Sequence, residues 1–280
     1  MQLLLFKTLW GHGGDLTAAV EQALAAGFYG IEGPVPSSGA EVNALQRLLE
    51  ARGIGFIGEI CTAGSYVPRR QATPDEHLLS LQQSLDFATF LQPRFCNVIA
   101  GCDAWPLARQ VDFFRRALDL CDRAGVLCSF ETHRSRSLFN PWVTVQILEQ
   151  IPELQITCDF SHWVVVCERL LDNEWDSIEY VAERALHIHG RVGYDQGPQV
   201  PHPAATEYAD ALASHQRCWE TIWQAQRRRG FIETTLTPEF GPDGYLHCLP
   251  FTGMPVADLW QINRWMGDTE RAHFQRWLAA

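Results

Sequence analysis

Eight short apolar runs alternate with amphipathic stretches from one end of the chain to the other, beginning near Leu3, Phe28, Ile54, Arg94, Val126, Leu154, Ala185 and Phe231. Strands separated by helices must run parallel, because a crossover helix returns the chain to the same edge. Eight such units close into a (β/α)₈ barrel more readily than they form an open doubly wound sheet, and 280 residues is an ordinary length for one barrel. The expected fold is therefore α/β, a single TIM barrel over residues 1–280.

The intervening stretches carry helix punctuation. Asp15 is placed to cap a helix ending before Gly27, Thr73-Pro74-Asp75-Glu76 has capping-box spacing, and Asn140-Pro141 opens another helix. Between Pro106 and Gly125, Leu107, Val111, Phe114, Leu118 and Cys121 form a helical stripe, with Arg115, Arg116 and Arg123 outside it. The polar, proline-containing stretch from Gly193 to Ser214 reads as an elaborated loop after the seventh strand. The aromatic C-terminal segment, Leu259 to Trp265 and Phe274 to Trp277, reads as a helix packed on the barrel or against another subunit.

Composition narrows the partners. With 46% hydrophobic and 20% charged residues the chain can bury a large core. A net charge of −11 disfavours a phosphate backbone, so nucleic acid is not an expected partner. Nine cysteines scattered through apolar runs suit reduced thiols. The N-terminal residues lack a secretory signal pattern and no apolar run reaches the roughly 18 residues of a membrane span. A cytoplasmic protein without membrane partners is expected, with a homo-oligomer as an open alternative to a single chain.

In a barrel, polar residues at the C-terminal ends of strands converge on one mouth. Four ends qualify: Ser129-Phe130-Glu131-Thr132-His133, Thr157-Cys158-Asp159-Phe160-Ser161-His162, His187-Ile188-His189-Gly190-Arg191 and Thr237-Pro238-Glu239-Phe240-Gly241. Glu131, Asp159, His189 and Glu239 together offer three carboxylates and an imidazole, a donor set for one divalent ion such as Mn²⁺, Co²⁺, Zn²⁺, Fe²⁺ or Mg²⁺. Alternate residues share a strand face, so His187 competes with His189 for that role. His133 is read as a group beside the ligands or a structural residue and His202 as a loop residue, while Trp10, His12, Glu32 and Glu59 are candidates for a substrate wall.

These motifs resemble the xylose isomerase-like barrels, the superfamily of sugar isomerases, sugar epimerases and type 2 AP endonucleases. In that superfamily a Glu, an Asp, a His and a Glu from successive strands hold the metal, and here those positions are Glu131, Asp159, His189 and Glu239. The resemblance also covers the Asp-x-x-His of Asp159 and His162 and the His-x-His of strand seven, and it favours His189 over His187. It implies a metal-dependent isomerase or epimerase of a small sugar or polyhydroxylated carbonyl compound, working through an enediolate. Glu131 and Glu239 would move the proton, and His162, Arg191, His133, His12 and Glu59 would bind substrate. The alternatives it leaves are an inosose-dehydratase-like lyase, a metal-dependent hydrolase and a non-catalytic sugar-binding barrel. Ser137 and Asp195 stand where ketose 3-epimerases carry a second Glu and an Arg, and Glu59 and Asn97 stand where endonuclease IV carries histidines.

Overall fold

The apolar runs feed eight strands, and the computed structural model, which describes residues 1–242 and 244–280, closes all eight into a parallel barrel in chain order. The strands are β1 (Gln2–Thr8), β2 (Gly30–Pro34), β3 (Gly55–Cys61), β4 (Cys96–Ile99), β5 (Cys128–Glu131), β6 (Ile156–Cys158), β7 (Ala185–His189) and β8 (Glu233–Thr237). β1 pairs with both β2 and β8, which closes the ring and removes any free edge. The expected single barrel is therefore the observed one. Several ladders start two residues after the apolar run does: Phe28 and Leu154 are buried against helices before inter-strand pairing begins at Gly30 and Ile156.

The helices on the outside are α1 (Leu16–Ala25), α2 (Gly39–Arg52), α3 (Pro74–Leu91), α4 (Leu107–Ala124), α5 (Pro141–Gln150), α6 (Phe160–Cys167), α7 (Trp175–Ala182), α8 (Ala209–Arg228) and α9 (Leu259–Ala279). Their ends follow local chemistry. The Asp15 carboxylate accepts the Ala18 N–H at 2.8 Å, Asn140 accepts that of Val143 at 2.8 Å, and Thr73 and Glu76 form a reciprocal capping box ahead of α3. Helix α4 buries Val111, Phe114 and Cys121, leaves Leu107 and Leu118 half-buried, and exposes its arginines. It ends at Gly125, whose φ of 65° belongs to the left-handed region.

Two expectations are refined. The stretch from Gly193 is a loop only as far as Tyr208, which closes a short 3₁₀ turn (Thr206–Tyr208); Ala209 to Ser214 already belong to α8, where Ala211 and Ser214 are buried. The aromatic C-terminal helix packs within the chain: Trp260 lies edge-on to Phe28 at 5.9 Å, and Phe274 and Trp277 lie 4.9 and 5.6 Å from Trp223. Among the described residues no helix is long and apolar enough to cross a membrane.

Inside the barrel, alternation along the strands separates two layers. Leu4, Phe6, Ile57 and Phe95 plug the lower part. Above them the interior turns polar, with Glu32, Glu59, Asn97, Glu131, His187 and His189 projecting from β2, β3, β4, β5 and β7.

Candidate metal centre

Glu131 is the last residue of β5, Asp159 follows β6 directly, His189 ends β7, and Glu239 stands two residues beyond β8. All four are buried, and each offers a ligand atom within 4.8 Å of the other three. His189 Nδ1 is 3.0 Å from Glu239 Oε2 and 3.7 Å from Glu131 Oε2. The competing His187 sits one layer lower, its Nδ1 2.7 Å from Thr235 Oγ1 and its ring 5.3 Å from Phe95.

Glu32 organises both histidines. Its carboxylate accepts from His187 Nε2 at 3.2 Å and His189 Nε2 at 3.0 Å, and from the Thr237 hydroxyl. With Nε2 carrying the hydrogen, the Nδ1 of a neutral His189 presents a bare lone pair to two carboxylates, and it is buried with no hydrogen-bond partner among the described residues. A cation relieves that arrangement directly. Without a metal it is a proton: burial alone would lower the imidazole pKa, but Glu239, Glu32 and Glu131 hold it well above the usual histidine range. A divalent ion at Nδ1 meets the same demand, so the donor set fits the metal centre expected from sequence.

The charge balance points the same way. Glu32, Glu131, Asp159 and Glu239 are buried and Glu59 is half-buried at the cavity, and among the described residues Arg191 is the permanently charged cation that contacts this group. Burial, followed by the charges of Glu239, Glu32 and Glu131, pushes the Glu59 carboxyl up to about 8. Burial and the Glu131 charge raise Glu239 to about 7 against the pull of His189 and Arg191. Burial also works to raise Glu131, but His189 and the Asn97 amide, which donates to its Oε2 at 2.6 Å, hold it well below the usual carboxylate range.

Arg191 is partly committed to the protein. It donates to Asp159 Oδ2 at 2.6 Å and Ser161 Oγ at 3.0 Å, and lies 2.6 Å from His162 Nε2. Its guanidinium still faces the cavity between Trp10 and Tyr245, with ring centres at 5.6 and 4.9 Å. His162 is fully buried behind it, its ring tilted against that of His133 with centroids 3.9 Å apart, and does not line the cavity; burial and the neighbouring His133 and Arg191 hold it well below the usual histidine range. His133 does line it, donating through Nδ1 to the Arg134 carbonyl at 2.5 Å.

The cavity above these groups is walled by Trp10, Glu59, Tyr66, Ile99 and Tyr245 together with Glu131, His133, Arg191 and Glu239. Of the expected wall, Trp10 and Glu59 are present and Glu32 lies beneath. His12 is elsewhere: Gly11, at φ 76°, turns the chain so that the His12 ring lies 3.1 Å from the Asp15 carbonyl, in a separate cleft. His202 lies edge-on to Trp265 at 5.9 Å, away from the candidate ligands. Sequence reading missed Tyr66 and Tyr245, which come from loops without a distinctive motif. It also missed Arg136, a fully buried residue whose guanidinium donates to the main-chain oxygens of Tyr66 at 2.9 Å, Thr62 at 2.8 Å, Gly101 at 3.3 Å and Ser65, tying together the loops after β3, β4 and β5.

The family model described as xylose isomerase-like TIM barrel matches residues 20–199. The chain belongs to that family. The xylose isomerase-like barrel described here resembles endonuclease IV from Thermus thermophilus at 17% identity, covering 99% of this chain and 100% of that one with a TM-score of 0.61. D-psicose 3-epimerase from Clostridium cellulolyticum is 14% identical over 97% of this chain and 99% of its own, with a TM-score of 0.64. An L-ribulose 3-epimerase is 12% identical over 100% and 96%, with a TM-score of 0.66. At these identities the neighbours establish the fold and no more. No curated protein sequence matches this xylose isomerase-like barrel significantly.

Proposed function

We propose that this barrel is a metal-dependent isomerase or epimerase of a small sugar or related polyhydroxylated carbonyl compound. The observation that carries the reading is the Nδ1 of His189, without a hydrogen-bond partner among the described residues, fixed by Glu32 and aimed at Glu131 and Glu239 within a buried set of four candidate ligands. When bound, the ion would polarise a substrate carbonyl and acidify the neighbouring C–H.

Glu131, Asp159, His189 and Glu239 would hold the ion. Glu131 and Glu239 approach His189 Nδ1 from separate strands, so they are placed to serve two faces of one carbon: one carboxylate takes the proton to give an enediolate and the other returns a proton. Asn97 fixes Glu131 for this exchange, and Arg191 fixes Asp159 while presenting its remaining N–H groups to substrate oxygens. Trp10, Tyr66 and Tyr245 would shield the enediolate from water. The epimerases among the structural neighbours support a carbohydrate substrate, and the net charge of −11 argues against a nucleic acid one.

The test is metal analysis of wild type beside Glu239→Gln and His189→Ala, followed by incubation of the loaded wild type with ketoses in D₂O. One ion per chain, diminished in both variants, and solvent deuterium at the carbon beside the carbonyl are expected. Release of water from substrate would assign a dehydratase instead, and a wild type that binds no Mn²⁺ or Co²⁺ would overturn the reading.

A further inference from the structure

Trp10 has a second side. Beyond it, outside the barrel wall, lies a separate cleft bounded by Trp10, Lys7, His12, Gln22, Asp258 and Trp260. Along β1, Leu4 and Phe6 fill the barrel interior, so Lys7 belongs to the opposite face and reaches this cleft instead of the metal centre.

The groups here are poorly satisfied by the protein itself. Lys7 is only 4% exposed, yet among the described residues its ammonium makes one hydrogen bond, to the Thr8 carbonyl at 3.1 Å, and it rests 4.8 Å from the centre of the Trp260 ring. Among the described residues no carboxylate pairs with it, and burial lowers its pKa to about 8. The Oε1 of Gln22 is buried with no donor among the same residues. Asp258 accepts the Gln261 N–H at 2.8 Å as the cap of α9, and its carboxylate retains further acceptor capacity.

The cleft therefore combines unused donors on Lys7, unused acceptors on Gln22 and Asp258, and two indoles. A simple anion would use the donors and meet the Asp258 carboxylate. An apolar ligand would leave all three polar groups unsatisfied. A hydroxyl both donates and accepts, and the C–H face of a sugar ring packs on an indole, so a polyol is the ligand class that uses every wall.

The arrangement is also held in place. A Cβ at Gly241 would fall 2.0 Å from the Trp10 ring, and one at Gly11 would fall 2.7 Å from both Leu259 and Pro242, so these glycines let the Trp10 segment and the start of α9 close on each other. One indole ring then separates the central cavity from the outer cleft.

We propose that this outer cleft is a second binding site for a neutral sugar or polyol unit, with Lys7, Gln22 and Asp258 as its polar contacts and Trp10 and Trp260 as its walls. Resting on the function proposed above, it holds the non-reacting unit of a substrate larger than a single sugar, whose reacting unit lies on the metal side of Trp10.

The test is calorimetric titration of the full chain with methyl β-D-glucopyranoside, and separately with sodium acetate, using wild type, Lys7→Met, Gln22→Leu and His189→Ala. Melting curves confirm that each variant is folded. Loss of one paired contact is expected to weaken glucoside binding at least about fivefold in Lys7→Met and Gln22→Leu. His189→Ala, which removes a metal ligand on the other side of Trp10, keeps the wild-type affinity for the glucoside. Acetate should give no heat. Equal glucoside affinity in wild type, Lys7→Met and Gln22→Leu overturns the proposal, as does acetate binding that disappears in Lys7→Met. Metal content, measured on the same preparations, reports independently on the metal centre.

Discussion

The Nε2–H of His189 donates to Glu32 Oε1 at 3.0 Å across the barrel interior, from β7 to β2. This contact selects the tautomer whose Nδ1 faces Glu131 and Glu239. Replacing Glu32 by Gln keeps the volume and removes the charge that makes the imidazole a strong donor to a cation. Losing the partner that orients a ligating histidine typically costs about 10–100-fold in metal affinity. Titration of Glu32→Gln with Mn²⁺ should show a weakening of that order; wild-type affinity would mean that Glu32 has only a packing role.

Metal removal should be visible as a loss of stability. The centre places five acidic side chains around His189 and Arg191, and a cation that binds only the folded state stabilises by about 2.7 kcal/mol when free ion is 100-fold above its dissociation constant. The melting temperature should fall on chelation and recover when Mn²⁺ is restored. In His189→Ala, chelation should change it little.

Gly241 is predicted to be intolerant of even one methyl group. The added carbon would overlap the Trp10 ring at 2.0 Å, and Trp10 is a wall of the central cavity, so the indole must move. Gly241→Ala should lose about 1–3 kcal/mol in denaturant unfolding and raise KM more than it lowers kcat, since no metal ligand is displaced.

A pH effect is expected far from the metal centre. His273 lies 2.9 Å from Glu270 Oε2 and 2.7 Å from Glu220 Oε1; burial opposes its charge, but the hydrogen bonds and charges of these carboxylates raise its pKa above the usual 6.5. A raised folded pKa means that the contribution is complete below about 6.5, the unfolded value, and disappears as pH climbs through the folded one. The stability gap between wild type and His273→Gln should be widest in mild acid and narrow in the alkaline range, as read by melting curves across pH. A gap independent of pH would show that His273 acts through packing alone.

The legibility of the sequence is uneven for physical reasons. The strands are visible because apolar runs report burial directly, and they are placed slightly early because Phe28 and Leu154 are buried before they pair. The four candidate ligands are visible because a charged residue at the end of an apolar run is costly without a partner. Glu32 is visible only as a mouth residue: its contact with His189 spans 157 positions and exists only once the ring closes. The pairing of Arg191 with Asp159 depends likewise on the meeting of two strand ends. The loop conformation at Gly11 that carries His12 away has no counterpart in periodicity. Tyr66 and Tyr245 lie in loops, where composition says little about direction.

Arg136 has a consequence for how this barrel can change over time. The bonds that fix Ser65, Tyr66 and Gly101 to its guanidinium end on main-chain oxygens, which every amino acid possesses, while Thr62 is held through both its carbonyl and its hydroxyl. At Ser65 and Tyr66 the backbone of that side of the mouth is thus held whatever side chains they carry. Tyr66 can be exchanged for a different side chain while its carbonyl remains anchored, so the cavity wall can be varied there by single substitutions that leave both the rim and the candidate ligands in place.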